Sequence, residues 1–129
     1  MTAVPKLINP ADLLPLTGSS WAGAGSGLVV TAGQVAFDAA GELVGEGDPA
    51  AQAAQALANL DSVLRAADSG PERVLQLRCY LTDADAYPHY AEARARWLGD
   101  HAPAGTVVIV AGLLDPRLLI EVEAVALLG

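Results

Sequence analysis

Between Asp48 and Leu113 the hydrophobic period changes three times, and that succession leaves few folds open. Asp48-Pro49 starts a helix: the aspartate caps the first N–H groups, and proline stands where a missing N–H costs nothing. Ala53, Leu57, Leu60, Leu64 and Ala67 then recur at helical spacing, with Gln52, Gln55, Asn59 and Arg65 away from the centre of the stripe, until Asp68-Ser69-Gly70-Pro71 ends it. From Val74 to Thr82 the period drops to two: Leu75, Leu77, Cys79 and Leu81 point one way, Gln76, Arg78, Tyr80 and Thr82 the other. After Asp83-Ala84-Asp85 it is helical again through Tyr87, Tyr90, Ala91, Arg94, Trp97 and Leu98, with Pro88 tolerated in the first turn. Thr106 to Leu113 is apolar almost throughout, which predicts a central strand buried on both faces.

The flanks are strand-like. The Gly/Ser cluster from Gly18 to Gly27 reads as a hairpin, Leu28 to Thr31 as a strand, and Val35 to Phe37 as a short strand running into the turn at Asp38-Ala39-Ala40-Gly41. Beyond Asp115-Pro116, a last strand puts Leu118, Ile120, Val122, Ala124 and Ala126 on one face and Leu119, Glu121, Glu123, Val125 and Leu127 on the other. The order β-β-α-β-α-β-β gives an α+β fold, a mixed sheet with two helices packed on one face by right-handed crossovers. The opposite face carries Gln76, Arg78, Tyr80, Glu121 and Glu123 among aliphatic residues, a composition that calls for a partner subunit. A length of 129 residues fits a single domain, 1–129.

Composition excludes several functions. Cys79 is the only cysteine, and His89 and His101 stand alone, so neither an internal disulfide nor a metal site is expected. With 15 acidic against 7 basic side chains the net charge is -8, and the arginines are scattered along the chain, which argues against nucleic acid as a partner. No signal peptide or membrane-spanning run is present, so the expected location is cytoplasmic, with no membrane partner. The 53% hydrophobic content, largely alanine and aliphatic, points to buried subunit contacts.

Thr31-Ala32-Gly33-Gln34, the helix from Gln52 to Leu60, Tyr80-Leu81-Thr82-Asp83, His101-Ala102-Pro103-Ala104 and Ile120-Glu121-Val122-Glu123-Ala124 together resemble the RidA (YjgF/YER057c/UK114, endoribonuclease L-PSP-like) family, from about Gly18 to Leu127. The resemblance implies a chorismate-mutase-like fold, a homotrimer with three clefts between subunits, and cofactor-free hydrolysis of imines and enamines such as 2-aminoacrylate. In that family an arginine after the Pro-Ala pair holds the substrate carboxylate. Here the position is Gly105, which cannot supply a bidentate guanidinium. The family serine before Gly-Gln is Ala32, its N-terminal tyrosine aligns with Ser19, an asparagine of the second helix falls at Ala91, and Val107 replaces a cysteine or threonine. Glu121 is retained and, by resemblance, is the acid/base candidate.

The expected substrate-binding set is Ser19, Trp21, Ala32, Gly33, Gly105 and Val107, with Glu121 as the catalytic residue and no metal. Each has a plainer reading beside it. Glu121 could simply pair with Arg78, and Glu123 reads as an ion pair lining the sheet. Trp21 serves equally as ligand platform or packing, while Cys79, Tyr90 and Trp97 read as core and His89 and His101 as structural. Arg117 and Arg78 are the candidates to replace the missing cation, Arg117 being the more ordinary turn residue. The functional expectation is cofactor-free chemistry on a small imine, enamine or carbonyl metabolite other than 2-aminoacrylate. The alternatives are a non-enzymatic metabolite-binding protein and, third, a translation inhibitor or endoribonuclease.

Overall fold

The computed structural model describes residues 3–129. Three short strands come first: β1 (Lys6–Ile8), β2 (Ala22–Gly25) and β3 (Leu28–Thr31). Helix α1 (Pro49–Ala66), strand β4 (Val74–Leu81), helix α2 (Tyr87–Leu98) and strands β5 (Ala104–Ile109) and β6 (Ile120–Leu127) follow. The strands form one mixed sheet in the order β1-β2-β3-β6-β4-β5, with β4 and β5 parallel and every other pairing antiparallel. Leu57, Leu60, Val63 and Leu64 of α1 and Tyr90 of α2 close over Val29, Leu77, Cys79, Ile120 and Val122, so both helices cover one face, as the periodicity requires. Among the described residues no helix is long and apolar enough to cross a membrane.

Local chemistry sets the boundaries. Asp48 accepts from the Ala51 N–H at 3.2 Å and Pro49 opens the first turn of α1. The β2–β3 hairpin turns through Ser26 and Gly27, both at positive φ (52° and 79°), the conformation that matches the twist of a two-residue loop.

Four expectations need correction. The apolar stretch from Thr106 is not central: β5 ends the sheet and is mostly exposed, whereas β6 lies between β3 and β4. Leu75 does not share a face with Leu77: a bulge between Val74 and Gln76 buries Val74 and leaves Leu75 44% exposed. Val35 to Phe37 is no strand but a loop held by isolated bridges, Gln34 to Val122 and Phe37 to Leu43. Trp97 is half-buried rather than core, its indole N–H donating to Asp61 Oδ1 at 3.0 Å. Tyr90 is buried as expected.

Gln52 is fully buried, and its amide explains why a polar residue stands there. Its Nε2 donates to the carbonyls of Gly45 (3.1 Å) and Arg117 (3.0 Å), and its Oε1 accepts from the Leu119 N–H at 2.8 Å. One side chain thus ties the start of α1 to the turn that launches β6. Gln52→Leu keeps the bulk but leaves three part-buried backbone groups without their partner, so a loss of about 2 kcal/mol is expected in denaturant unfolding. Leu75→Ala should stay within about 0.5 kcal/mol.

Candidate functional site

The pairing of β4 with β6 sets Arg78 opposite Glu123 and Tyr80 opposite Glu121 on the sheet face away from the helices. Arg78 Nη1 lies 3.2 Å from Glu123 Oε1, and the Tyr80 hydroxyl donates to the same oxygen at 2.5 Å. That bond holds the Tyr80 proton, raising its pKa, as the contacts to Tyr80 and Glu123 raise that of Arg78. Glu123 is thus the ion-paired lining residue, and Arg78, the expected partner of Glu121, is spent on its neighbour together with Tyr80. Among the described residues no side chain donates to Glu121 or pairs with it.

Glu121 lies against backbone instead. A Cβ added at Gly33 would come within 2.2 Å of Glu121 Oε2, so only glycine lets the carboxylate lie there. Gly33 is held in place by the next residue. The Gln34 N–H donates to the Val122 carbonyl (2.7 Å), the Val122 N–H donates back (3.0 Å), and the buried Gln34 amide donates to the Ala32 carbonyl at 3.0 Å. Half-burial, and secondarily the charge of Glu123, raise the Glu121 pKa above the ordinary carboxylate value of 4.5. The group is a carboxyl with elevated proton affinity and no fixed partner, suited to taking and returning a proton.

Ser19 and Ala32 line a shallow groove of about 500 Å³ with Ser20, Val30 and Thr31. Trp21 is half-buried behind it: its indole N–H donates to the Leu14 carbonyl at 2.8 Å and its own carbonyl accepts from the Ala32 N–H at 2.8 Å. Its polar atoms are used in holding the N-terminal loop to the sheet.

Gly105 and Val107 lie elsewhere. Their partners on β4 are Leu77 and Cys79, which face the helices, so both belong to the other side of the sheet and to its far edge. They line a second groove, about 480 Å³, beneath α2. A single chain therefore does not bring the Glu121 group and the Gly105 group together. At Gly105 an added Cβ would meet only the Leu77 carbonyl oxygen, at 3.7 Å, so the position is open.

The remaining candidates fall into place. Burial pushes the Cys79 thiol up to about 12, which leaves it protonated and inert as a nucleophile. His101 Nε2 is 2.7 Å from the Val74 carbonyl, a structural bond. Arg117 grips Asp115 through two nitrogens, at 3.1 and 2.8 Å, which holds that carboxyl at about 2; neither Arg117 nor Arg78 is a free cation. No group of three or more His, Cys, Asp or Glu among the described residues could hold a metal. Two residues of the second groove, Arg94 and Tyr87, were legible in the sequence only as members of the helical stripe, although an arginine inside an apolar stripe is a visible signal.

Residues 17–128 match the family described as Endoribonuclease L-PSP. The RutC family protein UK114 of Drosophila melanogaster is 33% identical over 130 residues, spanning 99% of this chain and 93% of that protein. RidA from an Antarctic Psychrobacter superposes with a TM-score of 0.87 at 26% identity, covering 95% of this chain and 99% of that one. A Mycobacterium tuberculosis member of the YjgF/YER057c/UK114 family does so with a TM-score of 0.81 at 27% identity, covering 97% and 100%. Sheet order, helix placement and sequence lead to the same conclusion: the chain belongs to the Endoribonuclease L-PSP family, the RidA (YjgF/YER057c/UK114) group.

Proposed function

We propose that the protein acts without a cofactor on a small imine, enamine or carbonyl metabolite other than 2-aminoacrylate, with Glu121 as the proton-transfer group, in a cleft that a second copy completes within a homotrimer. The carrying observation is that Glu121 is held over Gly33 with its proton affinity raised, while the donors beside it are committed to Glu123. On an imine, the Glu121 carboxylate takes a proton from water as the oxygen bonds to the imine carbon; the C=N π electrons move to nitrogen, which receives that proton. The carbinolamine collapses when its hydroxyl proton passes through Glu121 to nitrogen and the C–N bond breaks, releasing ammonia and the carbonyl product.

Support for assembly comes from the two half-sites and from the surfaces. Glu121, Gly33, Ala32 and Ser19 lie by β3 and β6, Gly105 and Val107 on the far edge and opposite face, so a cleft holding both sets draws on two chains. The open sheet face exposes Leu28, Val30, Val108 and Leu127, and β5 leaves an apolar edge unpaired. The ribonuclease in the family's name is a weaker reading for this chain: at a net charge of -8, four of its arginines are paired with carboxylates. A pure binding protein is the competing class, and Glu121 separates the two.

Two outcomes are expected, and a third would favour the competing class. Glu121→Gln lowers turnover of bulky imino acids, followed as ammonia release, by about 10²–10⁴-fold without changing the mass of the oligomer. In the wild type, activity falls as pH drops through a pKa above 4.5, because the base must be ionised. A ligand that binds unchanged to Glu121→Gln and is never turned over by the wild type favours the binding protein.

Gly33→Ala displaces only the end of the Glu121 side chain, so the melting temperature should hold within about 2 °C while activity drops at least as far as an order of magnitude. Equal activity in the variant counts against Glu121.

Gly105→Arg fits the open position, and 2-aminoacrylate turnover should be gained by this variant and absent from the wild type. Wild-type turnover of 2-aminoacrylate contradicts the proposed shift of substrate.

A further inference from the structure

Among the described residues Arg94 is the one arginine committed to neither a carboxylate nor a backbone carbonyl. Among the described residues Arg65, Arg78, Arg96 and Arg117 pair with Asp61, Glu123, Glu92 and Asp115, and Arg73 donates to the carbonyls of Leu127 and Leu128. In a chain with 15 acidic side chains, a guanidinium without one is conspicuous by its surroundings. Its Cζ lies 5.2 Å from the Tyr90 ring centroid and 5.9 Å from that of Tyr87, and one nitrogen donates to the Tyr87 hydroxyl at 3.4 Å. Aromatic faces attract the cation but accept none of its in-plane hydrogen bonds, so most of the five N–H donors stay available. Nor is Tyr90 a counter-ion: burial pushes its hydroxyl up to about 12.

The groove that Arg94 lines is the one beneath α2 that also holds Gly105, Val107 and Leu77. Apolar side chains such as Leu77, Leu98 and Val107, polar lining in similar measure, two tyrosines and one half-buried guanidinium without a carboxylate describe a pocket for a small organic anion. Arg94 and Tyr90 are joined as i and i+4 on one helix, so the cation is held from the helix side while the strand position, Gly105, is empty space.

We infer that Arg94 is the specificity-determining anion anchor of the groove between α2 and β5, and that its ligand is an organic acid whose carboxylate lies under α2 and whose apolar body fills the space above Gly105. The inference deepens the proposed function and rests on it only for the identity of the reaction, since binding is read without turnover. A guanidinium reaching down from the helix replaces one standing on the strand, which selects acids bulkier than 2-aminoacrylate.

Calorimetric titration of the full-length protein with benzoate, and with benzamide as its uncharged counterpart, tests this directly. Benzoate should bind the wild type at least about tenfold more tightly than benzamide. Arg94→Met keeps much of the stem against the two tyrosines and should remove that preference while leaving benzamide affinity unchanged. Arg94→Lys, which keeps the charge but not the fork, should restore part of it. Absence of saturable benzoate binding to the wild type in the millimolar range, or a preference for benzoate that survives Arg94→Met, overturns the inference. So does an equal loss of both ligands in Arg94→Met with an unchanged melting curve. An intact Arg94-dependent preference alongside full turnover by Glu121→Gln would refute the proposed chemistry and leave the anchor standing; the reverse pattern would do the opposite.

Discussion

The antiparallel pairing of β4 with β6 is the constraint on which the rest of the molecule depends. Its register gives Leu77, Cys79 and Leu81 the same face as Ile120, Val122 and Ala124, a dry surface on which α1 and α2 close. The same register collects Arg78, Tyr80, Glu121 and Glu123 on the other side. Because side chains alternate strictly along a strand, a slip of one residue would exchange the two sets, placing four polar groups in the core. The hydrophobic effect therefore fixes the position of the carboxylates indirectly: they lie where they do because their neighbours in sequence are buried. The Gln52 amide secures the entry to β6 and the exchanged Gln34–Val122 bonds secure its partner loop, so Glu121 and Gly33 are held from both directions.

Within that frame the two glutamates differ by two residues and yet have opposite electrostatic situations. Glu123 has a guanidinium and a phenol on one oxygen; Glu121 has a glycine backbone, half-burial and a like charge two residues away. The contrast comes from side-chain length and direction across the β4–β6 ladder. Tyr80 sits opposite Glu121 in register, but its ring carries the hydroxyl along the strand to Glu123, leaving its direct partner without a donor. One pairing pattern thus produces a structural carboxylate and a carboxyl free to exchange protons.

Legibility in the sequence follows the range of the interactions. The stripe in α1, its Asp48 cap, the alternation from Leu77 to Leu81 and the two-faced strand from Ile120 were readable because each is decided by neighbours within a few residues. The edge position of β5 was not: an apolar run states that its side chains are covered, not whether the cover is the same chain. The bulge at Val74 was hidden because one extra residue shifts phase without changing composition. Gln52 looked peripheral since its partners, Gly45 and Arg117, are distant in sequence and use backbone atoms, which carry no residue code. At the candidate site, Glu121 and Gly33 were named from motif resemblance, but their contact was invisible, as was the choice of Arg78 for Glu123 rather than Glu121. Arg94 was visible in the helical stripe, but a cation in such a stripe usually snorkels to water, so its position alone does not mark a groove.

Dividing the candidate groups between the two faces of one sheet, an interior strand and an edge strand, has a consequence for how such a site changes. The Glu121 side depends on Gly33, Gln34 and the β6 register, all tied into the core, so substitutions there disturb the fold or the carboxyl directly. The groove under α2 is built from an exposed edge strand and the outer part of a helix, where Gly105 is open and Val107 only partly buried. Residues of that kind exchange with little effect on stability. On the proposed reading, ligand preference can therefore change in the groove under α2 while the Glu121 carboxyl stays fixed. The positions at which the resemblance breaks down lie on both sides: Gly105 and Val107 in the groove and Ser19 in a surface loop, but Ala32 beside Gly33 on the Glu121 side.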